Sequence, residues 1–358
     1  MTNGIYRNGL LSKSIEALRF PMCVLVVFIH ARAMEHFVDG KFAVFDFTSR
    51  AISNIIASSA VPMFFLISGF FFYYSIDCFS WRVYFNKLKS RGRTILLPYI
   101  AWNLLIVLSL LFAQKFLGNS FFAGHRQVLQ YGSTDWVSVF WGSDEFWGNP
   151  IDFPLWFIRD LMVVMVLSPV LYCFVKYLKI YGLAVLSILW IFGLSIPVTG
   201  LEIRAVLFFS IGMFLGINKI DFISKILRLH RFPLTCLYFF SIALIFILRS
   251  NYVFLNLSIL LGVILMISLI AWMVEKNTHP KIIQSKFLAS STFFIFAFHG
   301  FPLEFIQKRL ISVFNANTSF GCILVYFCSV VIVVVVGLIL YYFVNKTKYV
   351  KMILTGNR

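Results

Sequence analysis

The residues able to do chemistry in this chain are few, and most lie inside long apolar runs. An ionisable side chain in such a run costs a few kcal/mol to place in a bilayer, so each is a candidate for function. The first run reads Arg19-Phe-Pro-Met-Cys-Val-Leu-Val-Val-Phe-Ile-His30. Eleven residues at about 100° each come within about 20° of three full helical turns, so Arg19 and His30 share a face, about 16 Å apart along the axis. Further on, Pro154-Leu-Trp156-Phe-Ile-Arg159-Asp160 opens another run, Arg204 lies near the start of a third, and Phe298-His299-Gly300 lies within a fourth. Helical rise puts His30, Asp160 and His299 at similar depths from three different helices. A buried reaction site requires such convergence, and pairing of charges in the core would also produce it. A basic stretch, Lys87-Leu-Lys89-Ser-Arg91-Gly-Arg93-Thr-Ile-Leu-Leu-Pro98-Tyr99, has two readings: a topology anchor, or a grip on the phosphates of an anionic cofactor, which guanidinium groups hold bidentately.

These residues must be positioned by membrane-spanning helices. The chain is 60% hydrophobic and 13% charged, with 43 Phe and a mean hydropathy of +0.89. A soluble domain carries about 25% charged residues, so too little polar surface is present here to coat a soluble particle. The hydropathy predicts about ten transmembrane helices, near 17–34, 52–75, 94–113, 154–175, 182–199, 201–217, 232–249, 252–274, 288–311 and 321–345. Pro62 predicts a kink in the second, and Pro197 and Gly200 predict a tight turn between the fifth and sixth. With ten spans both termini share one side, which collects 21 of the 31 Lys and Arg against 8 on the other. The positive side is the cytoplasmic one. The fold expected is therefore all-α and polytopic, with both termini cytoplasmic and the first span retained rather than cleaved as a signal peptide.

A net charge of +17 in a soluble protein would suggest nucleic acid. Here the basic residues occupy the gaps between spans, which points to membrane lipids and excludes a nucleic-acid partner. The six Cys show no paired spacing and predict neither a metal site nor a disulfide framework. No Gly-rich phosphate loop, HExxH or GxSxG is present, which argues against NTPases, zincins and hydrolases of those types. The longest external segment, 114–153, holds Asp135, Asp144, Glu145, Asp152 and several Trp, and suggests a sugar-facing cap.

Five segments, in order, resemble the acyltransferase-3 family of bacterial integral membrane acyltransferases. Arg19 with His30 is similar to the family's Arg-x10-His motif. Val61-Pro-Met-Phe-Phe-Leu-Ile-Ser68-Gly69-Phe70 resembles its second-helix segment. Arg91-Gly-Arg93-Thr-Ile-Leu-Leu-Pro98-Tyr99 resembles its basic loop, although the family's arginines stand three apart and here the fourth position is Thr94. Leu155-Trp156-Phe157-Ile-Arg159-Asp160-Leu161 and Phe294-Ile-Phe-Ala-Phe-His299-Gly300 complete the match. The resemblance spans about 12–345 and implies a single transmembrane acyltransferase domain over 1–358, with no separate soluble domain, in the bacterial cytoplasmic (inner) membrane.

It also implies transfer of an acyl group, most often acetyl from acetyl-CoA, to a hydroxyl of a cell-surface or exported glycan or a lipid-linked sugar. On that reading His30 and Arg19 are catalytic, with His30 either a base or a transient acyl carrier. Lys89, Arg91 and Arg93 hold the donor's phosphates. Trp156, Arg159, Asp160, His299 and Glu35 form the acceptor side. The alternative is a non-enzymatic transporter or flippase for a glycan or lipid carrier, which would also bury charges, but the paired broken spans of such proteins are not evident.

Overall fold

The computed structural model describes residues 2–38, 42–76, 78–117, 127–142, 148–248, 251–314 and 316–357, with backbone only for 2–8. Expectations placed on Lys41, Arg126, Asp144, Glu145, Arg249 and Arg358 fall outside those residues. Among the described residues the chain is helical, without a β-strand. Its helices are α1 (Thr2–Ala31), α2 (Ala43–Ser49), α3 (Ala60–Tyr74), α4 (Trp81–Arg91), α5 (Leu97–Leu117), α6 (Ser133–Trp141), α7 (Trp156–Val166), α8 (Ser168–Ile191), α9 (Ile203–Ile217), α10 (Phe222–Leu227), α11 (Arg231–Ile247), α12 (Tyr252–Glu275), α13 (Pro280–Ile283), α14 (Lys286–Phe298), α15 (Gly300–Phe314), α16 (Ser319–Lys346) and α17 (Lys348–Thr355).

Among the described residues, six stretches are long and apolar enough to cross a membrane: Gly9–His36, Ala43–Tyr74, Trp81–Phe116, Ser168–Ile191, Tyr252–Glu275 and Ser319–Lys346. A bent pair, α14 with α15, makes up to seven. The other expected spans meet shorter or interrupted helices. The stretch expected at 154–175 breaks at Leu167, where Pro169 in the first turn of α8 has no N–H to continue the ladder of α7. Lys179 leaves helical geometry (φ 49°, ψ −133°) inside α8, in the gap between the fourth and fifth expected spans. α9 has 15 residues and α11 has 17. Pro62 stands third in α3, where a helix amide lacks an intrahelical partner. The irregular backbone lies upstream instead, as a π-turn at Arg50–Ile56 and a 3-10 turn at Ala57–Ser59.

Lipid offers helices no hydrophobic reason to associate, so close packing must hold them. The tightest pair is α3 with α9. A Cβ on Gly212 would lie 2.0 Å from Leu66 O, and one on Gly216 would lie 2.6 Å from Phe70 O. Contacts that advance four residues on both helices make this pair parallel. α7 follows the same direction, since Phe157 packs on Phe65 while Tyr73 bonds Ser168, two residues past the end of α7. α1 and α14 are parallel to each other: Cys23 Sγ donates to Thr292 O, and seven residues further on in both chains His30 meets His299. α1 opposes α3, since Ser53, before α3, donates to Phe28 O near the end of α1. Large apolar side chains such as Leu108, Phe112, Val170, Phe232, Phe239 and Val331 remain exposed around the bundle, as a lipid-facing perimeter requires.

Candidate functional site

His30 ends the regular part of α1, and His299 caps α14 at the point where α15 departs at 73°. Pro302 in the first turn of α15 has no N–H for the carbonyl of Phe298, so the helix cannot run on undisturbed. Gly300 makes the bend compact: a Cβ there would lie 2.9 Å from Pro154 and 3.1 Å from the Phe153 ring. Phe153 in turn lies edge-on to His30, with centroids 5.1 Å apart. The two imidazoles are therefore held together, at 5.1 Å between centroids. His299 is fully buried. A carbonyl can only accept, so His299 Nδ1–H donates to Phe296 O at 2.7 Å. That fixes the tautomer and leaves Nε2 as a lone pair, without a partner among the described residues.

Beneath the pair lies a cavity of about 640 Å³ between α1, α3, α7 and α14. Phe157 and Phe296 close its inner end, with centroids 5.7 Å apart, and Phe296 lies 6.0 Å from the His299 ring. Its other end, here the base, is lined by Glu16, Arg19, Arg91, Thr94, Ser290 and the chain terminus at Thr355, Gly356 and Asn357. Arg19 and Arg91 are electrostatic neighbours there. Two neighbouring cations that line one open cavity can receive an anion.

The three basic residues expected at the donor side separate. Arg91 lines the cavity, whereas Lys89 and Arg93 are exposed and do not. Thr94, at the position where the family's second arginine would stand, does line it.

The expected acceptor set also divides. Only His299 joins His30. Asp160 has Arg159, Glu202 and Arg204 as its charged neighbours. Arg159 bonds Asp160 through Nε at 3.0 Å and donates from Nη1 to Trp141 O and to Gly148 O (2.6 Å), so it ties α7 to the segment outside it. Trp156 lies under the Arg204 guanidinium at 5.4 Å, and Arg204 pairs with Glu202 at 2.7 Å. Glu35 accepts from Arg32 Nε (2.7 Å) and Ser49 Oγ (2.8 Å). It lines a separate outer pocket of about 600 Å³ with His36, Asp46, Arg50 and Phe246. Asp152, expected among the acidic residues of a sugar-facing cap, is instead fully buried next to Phe153 with both carboxylate oxygens unpartnered among the described residues. Burial holds its carboxyl well above the usual carboxylate range.

Residues 12–342 match the profile of an acyltransferase domain, Acyl_transf_3. Among curated proteins, the succinoglycan biosynthesis protein ExoH of Rhizobium meliloti (strain 1021) is 26% identical over 193 residues, 49% of this chain and 46% of that protein. The alignment thus spans about half the length of that relative. No solved structure matches the chain.

Proposed function

The chain belongs to the acyltransferase-3 family, a family of multi-pass membrane enzymes, and we propose that it moves an acetyl group from acetyl-CoA at the cytoplasmic face to a hydroxyl of a cell-surface or exported glycan. The observation that carries this reading is one cavity with Arg19 and Arg91 at its base and the His30–His299 pair above its inner end. The glycan acceptor draws support from the relative's role in succinoglycan biosynthesis. This reading takes ten spans from the hydropathy, cytoplasmic termini from the Lys and Arg distribution and an inner-membrane location from the family resemblance, and the shared direction of α3, α7 and α9 suits their even-numbered places in that scheme.

The donor's phosphates sit between Arg19 and Arg91, the acyl arm extends along the cavity to Phe157 and Phe296, and those two rings must part for the thioester to reach the histidines. Arg19 and His30 lie about 16 Å apart by helical rise, a length an extended pantetheine arm covers. The acceptor oxygen attacks the thioester carbonyl while a ring nitrogen of His30 takes the hydroxyl proton. The tetrahedral intermediate collapses, the C–S bond breaks, and His30 returns the proton to the departing thiolate. Ester and free CoA thiol leave. His299, with Nε2 fixed as an acceptor, can receive the other N–H of His30 and so orient it, as a positioning residue.

The test is acetyl-CoA turnover by the chain in lipid nanodiscs, read as free thiol released in the presence of an oligosaccharide acceptor. His30→Ala should lose at least about 100-fold in kcat, the ordinary worth of a general base. Turnover that survives His30→Ala unchanged would remove His30 from the chemical step, and a wild-type chain with no turnover would return the chain to the transporter reading.

A further inference from the structure

The family match ends at residue 342, yet the base of the cavity is completed by residues beyond it. Thr355 and Gly356 are buried, and with Asn357 they form part of the cavity's lining. Three contacts hold them. A Cβ on Gly356 would lie 2.1 Å from Thr94 O, and its φ of +67° is one that side chains disfavour, so only glycine fits this seat. Trp102 Nε1 donates to Leu354 O at 2.9 Å. Asn357 Nδ2 donates to Ser290 O at 3.3 Å, and its backbone N–H donates to Thr355 Oγ1. The side-chain oxygen of Asn357 accepts nothing from the described residues and is available to a ligand in the cavity.

The helix that precedes this seat is built to lie on a bilayer surface. In α17, Tyr349, Val350, Met352 and Ile353 are exposed apolar side chains, flanked by Lys346, Lys348 and Lys351. An amphipathic helix with a basic flank settles at the headgroup boundary. It therefore delivers its C-terminal end sideways into the mouth of the cavity, against the turn that carries Arg91 and Thr94.

We propose that the segment Lys348–Asn357 is a working wall of the donor site: Gly356 seats it on Thr94, and Asn357 contacts the bound donor at the cavity base. This rests on the reading of the cavity as the acyl-CoA site. The segment then governs donor affinity and not the chemical step, because the histidines lie at the far end.

The experiment measures binding of CoA, then acetyl-CoA kinetics, with the full chain in nanodiscs, with Gly356→Val, with Asn357→Ala and with a chain ending at Lys346. Gly356→Val and the shortened chain should raise the CoA Kd and the acetyl-CoA KM at least about tenfold, with kcat at saturation within about twofold of wild type. Asn357→Ala should raise both constants about threefold to tenfold, the range for one lost hydrogen bond. Should Gly356→Val fail to insert, the shortened chain and Asn357→Ala decide alone. A wild-type chain that binds CoA, with all three variants binding it equally well, overturns the wall. A change in kcat with KM unmoved also overturns it. A wild-type chain that does not bind CoA overturns the donor reading and this proposal with it.

Discussion

Arg91 and Arg93 are two residues apart in sequence, and the structure gives them opposite expectations. Arg91 is half-buried in the wall of the cavity, whereas Arg93 is exposed outside it. A hydrogen bond to a charged group is worth about 1.5–3 kcal/mol. The cavity is open, so the lower part of that range applies, and Arg91→Ala should weaken CoA binding by about 10–30-fold. An exposed cation contributes less than about 1 kcal/mol and is screened by salt. Arg93→Ala should therefore cost less than about fivefold, and that loss should vanish as ionic strength rises. Thr94→Arg supplies a third, opposite case. Thr94 Oγ1 does no more than donate to Ser90 O at 3.2 Å within its own helix, and Gly356 rests on the backbone of Thr94. A guanidinium at this position would enter the cavity beside Arg91 and should tighten binding. The assay is CoA titration in nanodiscs at about 50 and about 300 mM salt, two ionic strengths over which exposed charges lose most of their reach. Equal losses in Arg91→Ala and Arg93→Ala at both salt concentrations would refute the assignment of the cavity as the donor site.

Three further substitutions probe the surroundings. Glu16 lines the same cavity and is the charged neighbour of Arg19, so Glu16→Gln should tighten CoA binding by about twofold to fivefold at low salt, an effect of one nearby charge at high effective dielectric; unchanged titration curves would remove Glu16 from the site. Gly300→Val would press on Phe153 and Pro154 and displace the histidine pair, so kcat should fall at least about tenfold while CoA affinity stays within about threefold, as a misplacement of catalytic groups predicts; equal loss of both would indicate a general collapse. Burial raises the pKa of the Asp152 carboxyl above its unfolded value of about 3.9 and so favours the neutral acid in the folded chain. Its contribution to stability is complete below the unfolded value and is lost as pH rises toward the folded one. Wild-type Tm in detergent should drop between pH 5 and pH 8 relative to Asp152→Asn, and parallel Tm curves would show that Asp152 is not buried as a neutral acid.

How far the site could be read from the chain depends on what each inference used. Depth follows from helical rise alone, so His30 and His299 could be set at one level before any partner was known. Azimuth needs the neighbouring helix. Asp160 shared that depth and yet has Arg204 and Glu202, not the histidines, as charged neighbours. That Arg91 lines the cavity and Arg93 does not has a local cause: Gly92–Leu96 winds as a π-helix, where a count based on 3.6 residues per turn no longer predicts which residues face one way. Span boundaries failed where an apolar run continues through a break, as at Leu167, because hydropathy does not register a missing hydrogen bond, whereas the break at Lys179 falls in the gap expected between 175 and 182. Thr355–Asn357 carried no signal at all, being short, polar and uncharged beyond the last apolar run.

The bend at His299 and the tautomer of His299 have one origin. In a bilayer every backbone carbonyl needs a donor, and a helix broken by Pro302 leaves carbonyls near the break short of one. The imidazole supplies it, since Nδ1–H donates to Phe296 O. The same bond commits the ring to presenting Nε2 as a lone pair toward its neighbours, and Gly300 against Phe153 sets that ring beside His30. A side chain that caps the carbonyl without an imidazole should therefore separate structure from rate. His299→Asn can donate its amide N–H to Phe296 O, but it lacks an imidazole ring beside His30. It should keep Tm within a few degrees of wild type and retain CoA affinity, while kcat falls by about 10–100-fold, the cost of a disoriented base. His299→Ala should lose the rate and also stability, by about 1–3 kcal/mol for the orphaned carbonyl and the space left behind. If His299→Asn turned over at the wild-type rate, the second histidine would be a cap for the broken helix and nothing more, and His30 would have to be oriented from elsewhere.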